Sequence, residues 1–94
     1  MIKRTDANHK LIIDNLRKIP MVSVTSTHTI GKGFPDIVIG YKKQNYLVEI
    51  KDGNKSPSQR KLTPDEIDFH DKWNGQIMIA ENIGDILKLL KIKL

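Results

Sequence analysis

Gly33-Phe34-Pro35-Asp36 is followed, after twelve further residues, by Glu49-Ile50-Lys51. Two carboxylates and an ammonium are the side chains that handle phosphate esters. Mg²⁺ and Mn²⁺ take oxygen ligands in an octahedron, commonly one or two carboxylates completed by water and substrate phosphate. Asp36 and Glu49 supply the carboxylates, and the backbone carbonyl of Ile50 is a candidate third ligand. A cation held there lowers the pKa of a bound water and clamps the phosphate under attack. Lys51 orients or helps deprotonate that water, or neutralises charge developing in the transition state. The chemistry indicated is hydrolysis of a phosphodiester.

This holds only if the three side chains meet. Tyr46-Leu47-Val48-Glu49-Ile50-Lys51-Asp52 has the β-branched and aromatic content of a strand, and side chains alternate across a strand. Glu49 and Lys51 therefore emerge on one face. A second strand reads as Asp36-Ile37-Val38-Ile39-Gly40, joined to the first by Tyr41-Lys42-Lys43-Gln44-Asn45 as a hairpin. A hairpin brings the end of its second strand back beside the start of its first, so Asp36 and Glu49 become neighbours. The plainer alternative is an ion pair, Glu49 or Asp36 with Lys51. The apolar flanks Ile37-Val38-Ile39 and Leu47-Val48 weigh against it, because charges at the ends of buried strands are costly without a task or a partner.

Pro35-Asp36 with Glu49-Ile50-Lys51 resembles the motif of the PD-(D/E)XK nuclease superfamily, and the chain is most similar there to the small stand-alone VRR-NUC type often carried by phages. The segments carrying the resemblance are Gly31 to Gly40, Leu47 to Gly53 and Lys61 to Glu66, and it extends over nearly the whole chain. It implies a restriction-endonuclease-like α/β fold: an αβββαβ core with a mixed central sheet flanked by helices, here with an added C-terminal helix. It also implies Asp36, Glu49 and Lys51 as catalytic residues and Mg²⁺ or Mn²⁺ as cofactor. Such nucleases usually place another acid on the first helix. Here Asp6 lies near the helix start, where it caps the backbone or reaches the metal through water, and Asn8 stands where a metal-bound water would be held. Relatives often carry a supporting Gln early in the helix after the motif, and Glu66 stands near that place.

The remaining elements follow from pattern. Asp6 to Lys18 reads as a helix ending before Pro20, with Leu11, Ile12, Leu16 and Ile19 as its apolar stripe. Val22 to Thr27 alternates as a strand, and Gly53 to Lys61 is a polar, basic loop. Thr63, Pro64 and Glu66 spell an N-cap, first-turn proline and capping box for a helix running to Asn74, with Gly75 as its stop. Gln76 to Ala80 is a short strand, and Ile83, Ile86, Leu87 and Leu90 have the spacing of an amphipathic helix. Phe69 and Trp73 read as core residues, and His9, His28 and His70 have no companions at metal-ligand spacing.

Ninety-four residues, 38% hydrophobic and 29% charged, indicate one globular domain spanning 1–94. No cysteine is present, which excludes disulfides and thiolate metal sites. No apolar run is long enough to cross a membrane and no signal-peptide pattern is visible, so the expected place is the cytoplasm, the host's if the chain is phage-encoded. A net charge of +5 and a pI near 9.6 suit a polyanion, although such a charge is also ordinary for solubility. Lys32 between two glycines, Lys55, Arg60 and Lys61 in the basic loop, and the N–H groups at Thr63 are the candidate DNA contacts. Contacts of this kind hold a backbone without reading bases.

The expectation is thus a divalent-metal-dependent, structure-selective DNA endonuclease, working as a homodimer because so small a domain touches only a short stretch of DNA. A four-way (Holliday) junction is the substrate that the resemblance suggests. The alternatives are a nicking, flap or restriction-like nuclease, and a non-catalytic DNA-binding or assembly module that keeps the fold.

Overall fold

A computed structural model describes residues 8–93, so Asp6 lies outside the described residues. The elements are α1 (His9–Arg17), β1 (Val22–Ser26), β2 (Ile37–Tyr41), β3 (Gln44–Ile50), a short 3₁₀ turn (Pro57–Arg60), α2 (Pro64–Lys72), β4 (Ile77–Ala80) and α3 (Ile83–Leu90). They make an α/β fold on one mixed sheet of order β1-β2-β3-β4. The first three strands are antiparallel neighbours, while β4 runs parallel to β3. A parallel pair needs a crossover, and α2 lies within it.

Ile37, Ile39, Val48, Ile50 and Ala80 point to one face of the sheet and pack with Ile12, Ile13 and Leu16 of α1 and Ile86 and Leu90 of α3. Alternation sends Val38, Leu47, Glu49 and Ile79 to the other face, the side on which α2 is tied. The buried stripe of α1 is His9, Ile12, Ile13 and Leu16. Leu11, expected on that stripe, is 63% exposed: the sheet takes the i, i+3, i+4, i+7 set that starts at His9.

The β2–β3 connection is tighter than the five residues expected. Tyr41 pairs directly with Gln44, leaving Lys42 and Lys43 as a two-residue turn with φ of 53° and 65°. Left-handed backbone at both positions matches the right-handed twist of the flanking strands. α2 begins as its sequence says, with Thr63 as N-cap and a complete capping box to Glu66. It ends at Lys72, because Trp73 leaves helical geometry at ψ 126°, and Gly75 is not the stop. Trp73 itself is 42% exposed, outside the core that its hydrophobicity suggested. Among the described residues no helix is long and apolar enough to cross a membrane.

Candidate active site

Asp36 sits one residue before β2 and is held by its backbone on both sides. Its amide donates to Val48 O at 3.0 Å, and its carbonyl accepts the Thr27 amide at 2.8 Å. The Thr27 hydroxyl donates to Pro35 O at 2.8 Å, so Thr27 fixes both residues of the Pro-Asp pair. Nothing in the spacing of the chain singled Thr27 out. The Asp36 carboxylate accepts the Ile50 amide at 2.8 Å. Ile50 thus meets Asp36 through its N–H, and only its carbonyl was anticipated as part of the site.

Continuing the Ile37–Val48 register by one position sets Asp36 across from Glu49. Both are buried, at 4% and 2% exposure. Lys51 follows Glu49 on the same face, with Nζ 3.6 Å from Glu49 Oε2. The fourth member is Glu66, also buried, whose Oε1 lies 3.0 Å from Lys51 Nζ. That same oxygen accepts the Thr63 amide at 2.9 Å. The capping box therefore aims Glu66 at the lysine, and its two roles are compatible. Gly33 makes this docking possible. It has φ +82°, and a Cβ there would overlap the Asp65 carbonyl, so the loop before Asp36 lies directly on the first turn of α2.

Among the described residues Glu49 and Glu66 share the Lys51 ammonium, and Asp36 lies in register across from Glu49. Burial, then the proximity of Asp36 and Glu66, pushes the Glu49 carboxyl up to about 9. Burial also pushes on Glu66, but the Thr63 amide, the hydrogen bond with Glu49 and the Lys51 ammonium outweigh it and hold Glu66 below its ordinary value. Glu49 Oε1 is buried with no hydrogen-bond partner. A buried carboxylate oxygen without a donor, beside a second carboxylate, is the donor set a divalent cation fits. Among the described residues no group of three or more His, Asp or Glu is arranged to hold a metal ion. Mg²⁺ needs none, since it keeps several waters and binds through one or two carboxylates. A cleft of about 450 Å³ opens beside Lys51, lined also by Pro57, Arg60, Ile79, Glu81 and Asp85.

The supporting candidates divide. Asn8 Nδ2 donates to Lys51 O at 3.2 Å and Glu81 O at 2.9 Å, tying the ends of β3 and β4 together instead of capping α1. Its Oδ1 is buried without a hydrogen bond, the one atom of this side chain left to hold a water. Arg60 is only partly exposed and donates one of its N–H groups to Glu81 at 2.5 Å, at the edge of the cleft beside Lys51. The Thr63 amide donates to Glu66 Oε1 and the Thr63 hydroxyl oxygen accepts the Glu66 amide, so the capping box takes up these two N–H groups at the start of α2. Lys32, Lys55 and Lys61 are exposed, Lys32 with φ 55° in the turn before Gly33. His9 and His28, far apart in sequence, are brought edge to face at 5.3 Å, with Ser26 Oγ 2.7 Å from His28 Nδ1. They make a pair, short of a zinc set. His70 is held below its ordinary value, chiefly by burial.

Compared with family models, curated proteins and solved structures, the chain finds no match.

Proposed function

We propose that this chain is a divalent-metal-dependent endonuclease of the PD-(D/E)XK type, with a restriction-endonuclease-like core, that hydrolyses phosphodiester bonds in DNA. The observation that carries the reading is the meeting of buried Glu49 and Glu66 at Lys51, with buried Asp36 in register across from Glu49 at the end of the sheet. A lone structural ion pair needs one carboxylate for its lysine, whereas Glu49 and Glu66 both face Lys51 and Glu49 Oε1 is buried with no hydrogen-bond partner. A site awaiting a cation and a phosphate explains the surplus. Mg²⁺ or Mn²⁺, bound at Asp36 and Glu49 with the Ile50 carbonyl available to it, would supply an activated water and charge neutralisation.

The chain's own residues then divide the work. Asp36 and Glu49 hold the positive charge against the phosphate. Lys51, held by Glu66 at 3.0 Å, would orient the attacking water and neutralise the phosphate oxygens that gain charge. Thr27 and Gly33 keep the Asp36 loop in register with β3 and α2. Lys32, Lys55 and Lys61 attract the backbone without reading sequence.

The molecule measures 34 × 29 × 23 Å. At 3.4 Å per base pair its longest dimension covers roughly ten pairs of one duplex. Cutting both strands would therefore take two copies, and branched DNA such as a four-way junction presents two related strands to a homodimer. The test is incubation of the purified chain with labelled junction, flap, duplex and single-stranded DNA in Mg²⁺, Mn²⁺ or EDTA. Paired incisions that vanish in EDTA and in Asp36→Ala support the reading. Binding without cutting in either metal would leave a DNA-binding or assembly module that keeps the fold.

A further inference from the structure

Phe34, Phe69 and Trp73 form an aromatic pile outside the main core. Phe69 and Trp73 are stacked, with centroids 5.2 Å apart and planes at 18°. Phe34 stands edge-on to both, at 5.2 and 6.5 Å. The bland account is a small satellite cluster that seats the Asp36 loop on α2. It explains Phe34 and Phe69. It does not explain why the largest ring, Trp73, keeps 42% of its surface in solvent.

The position of the pile is informative. Phe34 comes two residues before Asp36, and Gly33 presses that loop onto the start of α2. Glu66, Phe69 and Trp73 follow at i, i+3 and i+7, a spacing that shares one helix face. The aromatic row therefore begins one turn from the carboxylate that holds Lys51. It reaches Trp73 after a rise of about 10 Å, at roughly 1.5 Å per residue. Exposed Lys32 comes two residues before Phe34. Asp65 and Asp71 on the same helix disfavour phosphates, while Asp68 is paired with Lys72 at 2.9 Å, so a strand crossing α2 would turn its bases towards the helix. Exposed indole is then the surface a base meets.

We infer that Trp73, backed by Phe69 and Phe34, stacks an unpaired nucleobase within about two nucleotides of the phosphodiester at Asp36, Glu49 and Lys51. This rests on the nuclease reading and narrows its substrate. A paired base has both faces occupied by its neighbours, so the favoured DNA carries unpaired bases beside the cut, as at a flap or an opened branch point.

Trp73 is the only tryptophan of the chain, so its emission reports the contact directly. The wild-type protein is titrated in EDTA with a single strand, a flap and a matched duplex. Single strand and flap should quench Trp73, and the duplex should bind without quenching. 2-Aminopurine stepped along the flap should lose emission at one or two positions only. Trp73→Leu, verified as folded by circular dichroism, should weaken flap binding about tenfold and leave duplex binding unchanged. If that variant does not fold, the wild-type and 2-aminopurine titrations decide. Equal quenching by duplex and flap, binding with unchanged emission, or no binding of any strand would overturn the inference. Because the titration needs no metal, quenching without cleavage removes the nuclease and keeps the stacking site, and cleavage without quenching does the reverse.

Discussion

Oε1 of Glu66 accepts both the Thr63 amide, at 2.9 Å, and the Lys51 ammonium, at 3.0 Å. One oxygen thus couples the start of α2 to the lysine of the candidate site. Glu66→Gln can keep the cap, because an amide oxygen also accepts from the Thr63 N–H, but it withdraws the negative charge that fixes Lys51. Thermal stability should change by less than about 1 kcal/mol, the size of a whole cap. Cleavage should fall by roughly 10- to 100-fold, as for other side chains that orient a reacting group. Melting curves and cleavage rates on the same preparations separate the two roles. A drop in stability with unchanged cleavage would make Glu66 a cap alone.

Asp36→Asn should act in opposite directions on stability and activity. The Asn oxygen can still accept the Ile50 amide that Asp36 accepts at 2.8 Å, while the like charge facing Glu49 disappears. In EDTA the variant should be as stable as the wild type or more stable, by about 1 kcal/mol, the trade-off common where an active site carries unfavourable charge. Metal-dependent cleavage should fall by at least about 100-fold, more than loss of an orienting residue costs. Chemical denaturation in EDTA beside single-turnover cleavage checks both halves.

The same crowding sets a pH dependence for the metal-free protein. Glu49 is raised from its ordinary 4.5 to about 9, so between those values the folded chain holds a proton that the unfolded chain has released. Stability then falls as pH rises through that window. Burial lowers His70 and the contacts of Glu66 lower its carboxyl, and both contributions are lost on acidification, in the opposite sense. His70 is lowered from 6.5, so its contribution is complete and no longer changes above that pH, where Glu49 sets the trend. In EDTA the melting temperature should decline from pH 7 to 9, and Asp36→Asn should flatten the decline. Stabilisation by added Mg²⁺ or Mn²⁺ should grow over the same range, because the cation takes the place of the proton. Stability that is flat over this range in the wild type would show that Glu49 ionises normally.

Much of this arrangement was legible because it rests on alternation and local signals. Glu49 and Lys51 share a face by strand periodicity, the hairpin returns Asp36 to Glu49, and Thr63 with Glu66 announce the start of α2. What stayed hidden depends on docking between segments far apart in sequence. No local pattern reveals that Thr27 clamps Pro35 and Asp36, that Arg60 is drawn to Glu81, or that Asn8 spans the ends of β3 and β4. Trp73 misled because hydrophobicity alone says core, whereas the residue closes α2 outside the main core and stays 42% exposed.

Gly33 tests that docking directly. Alanine there must adopt φ near +82° and place a methyl group against the Asp65 carbonyl. Left-handed backbone and the clash together should cost about 2 kcal/mol or more. Any relief by moving the loop away from α2 would also shift Asp36 relative to Lys51. Cleavage should therefore fall further than the loss of folded protein accounts for. Gly31 is the control, since it also has positive φ, at +78°, but a Cβ there meets nothing within 4 Å. Gly31→Ala should carry only the backbone cost.

The β2–β3 turn offers a change remote from the site and opposite in sign. Lys42 and Lys43 both occupy left-handed backbone, at φ 53° and 65°, in a turn whose preferred residues are Asn and Gly. A residue with a side chain in that conformation costs roughly 1–2 kcal/mol, less for Asn and nothing for Gly. The Lys42 ammonium lies over the Tyr41 ring, 5.4 Å from its centroid, a contact that the change gives up. Lys42→Asn combined with Lys43→Gly should stabilise the chain by about 1–2 kcal/mol, a rise in Tm of roughly 4–8 °C for each kcal/mol at this size. Part of that gain is offset, because glycine also loosens the unfolded chain. The turn lies at the opposite end of β3 from Glu49, so metal-dependent cleavage should be unchanged. A stabilised variant with reduced DNA binding would instead place these two lysines among the backbone contacts.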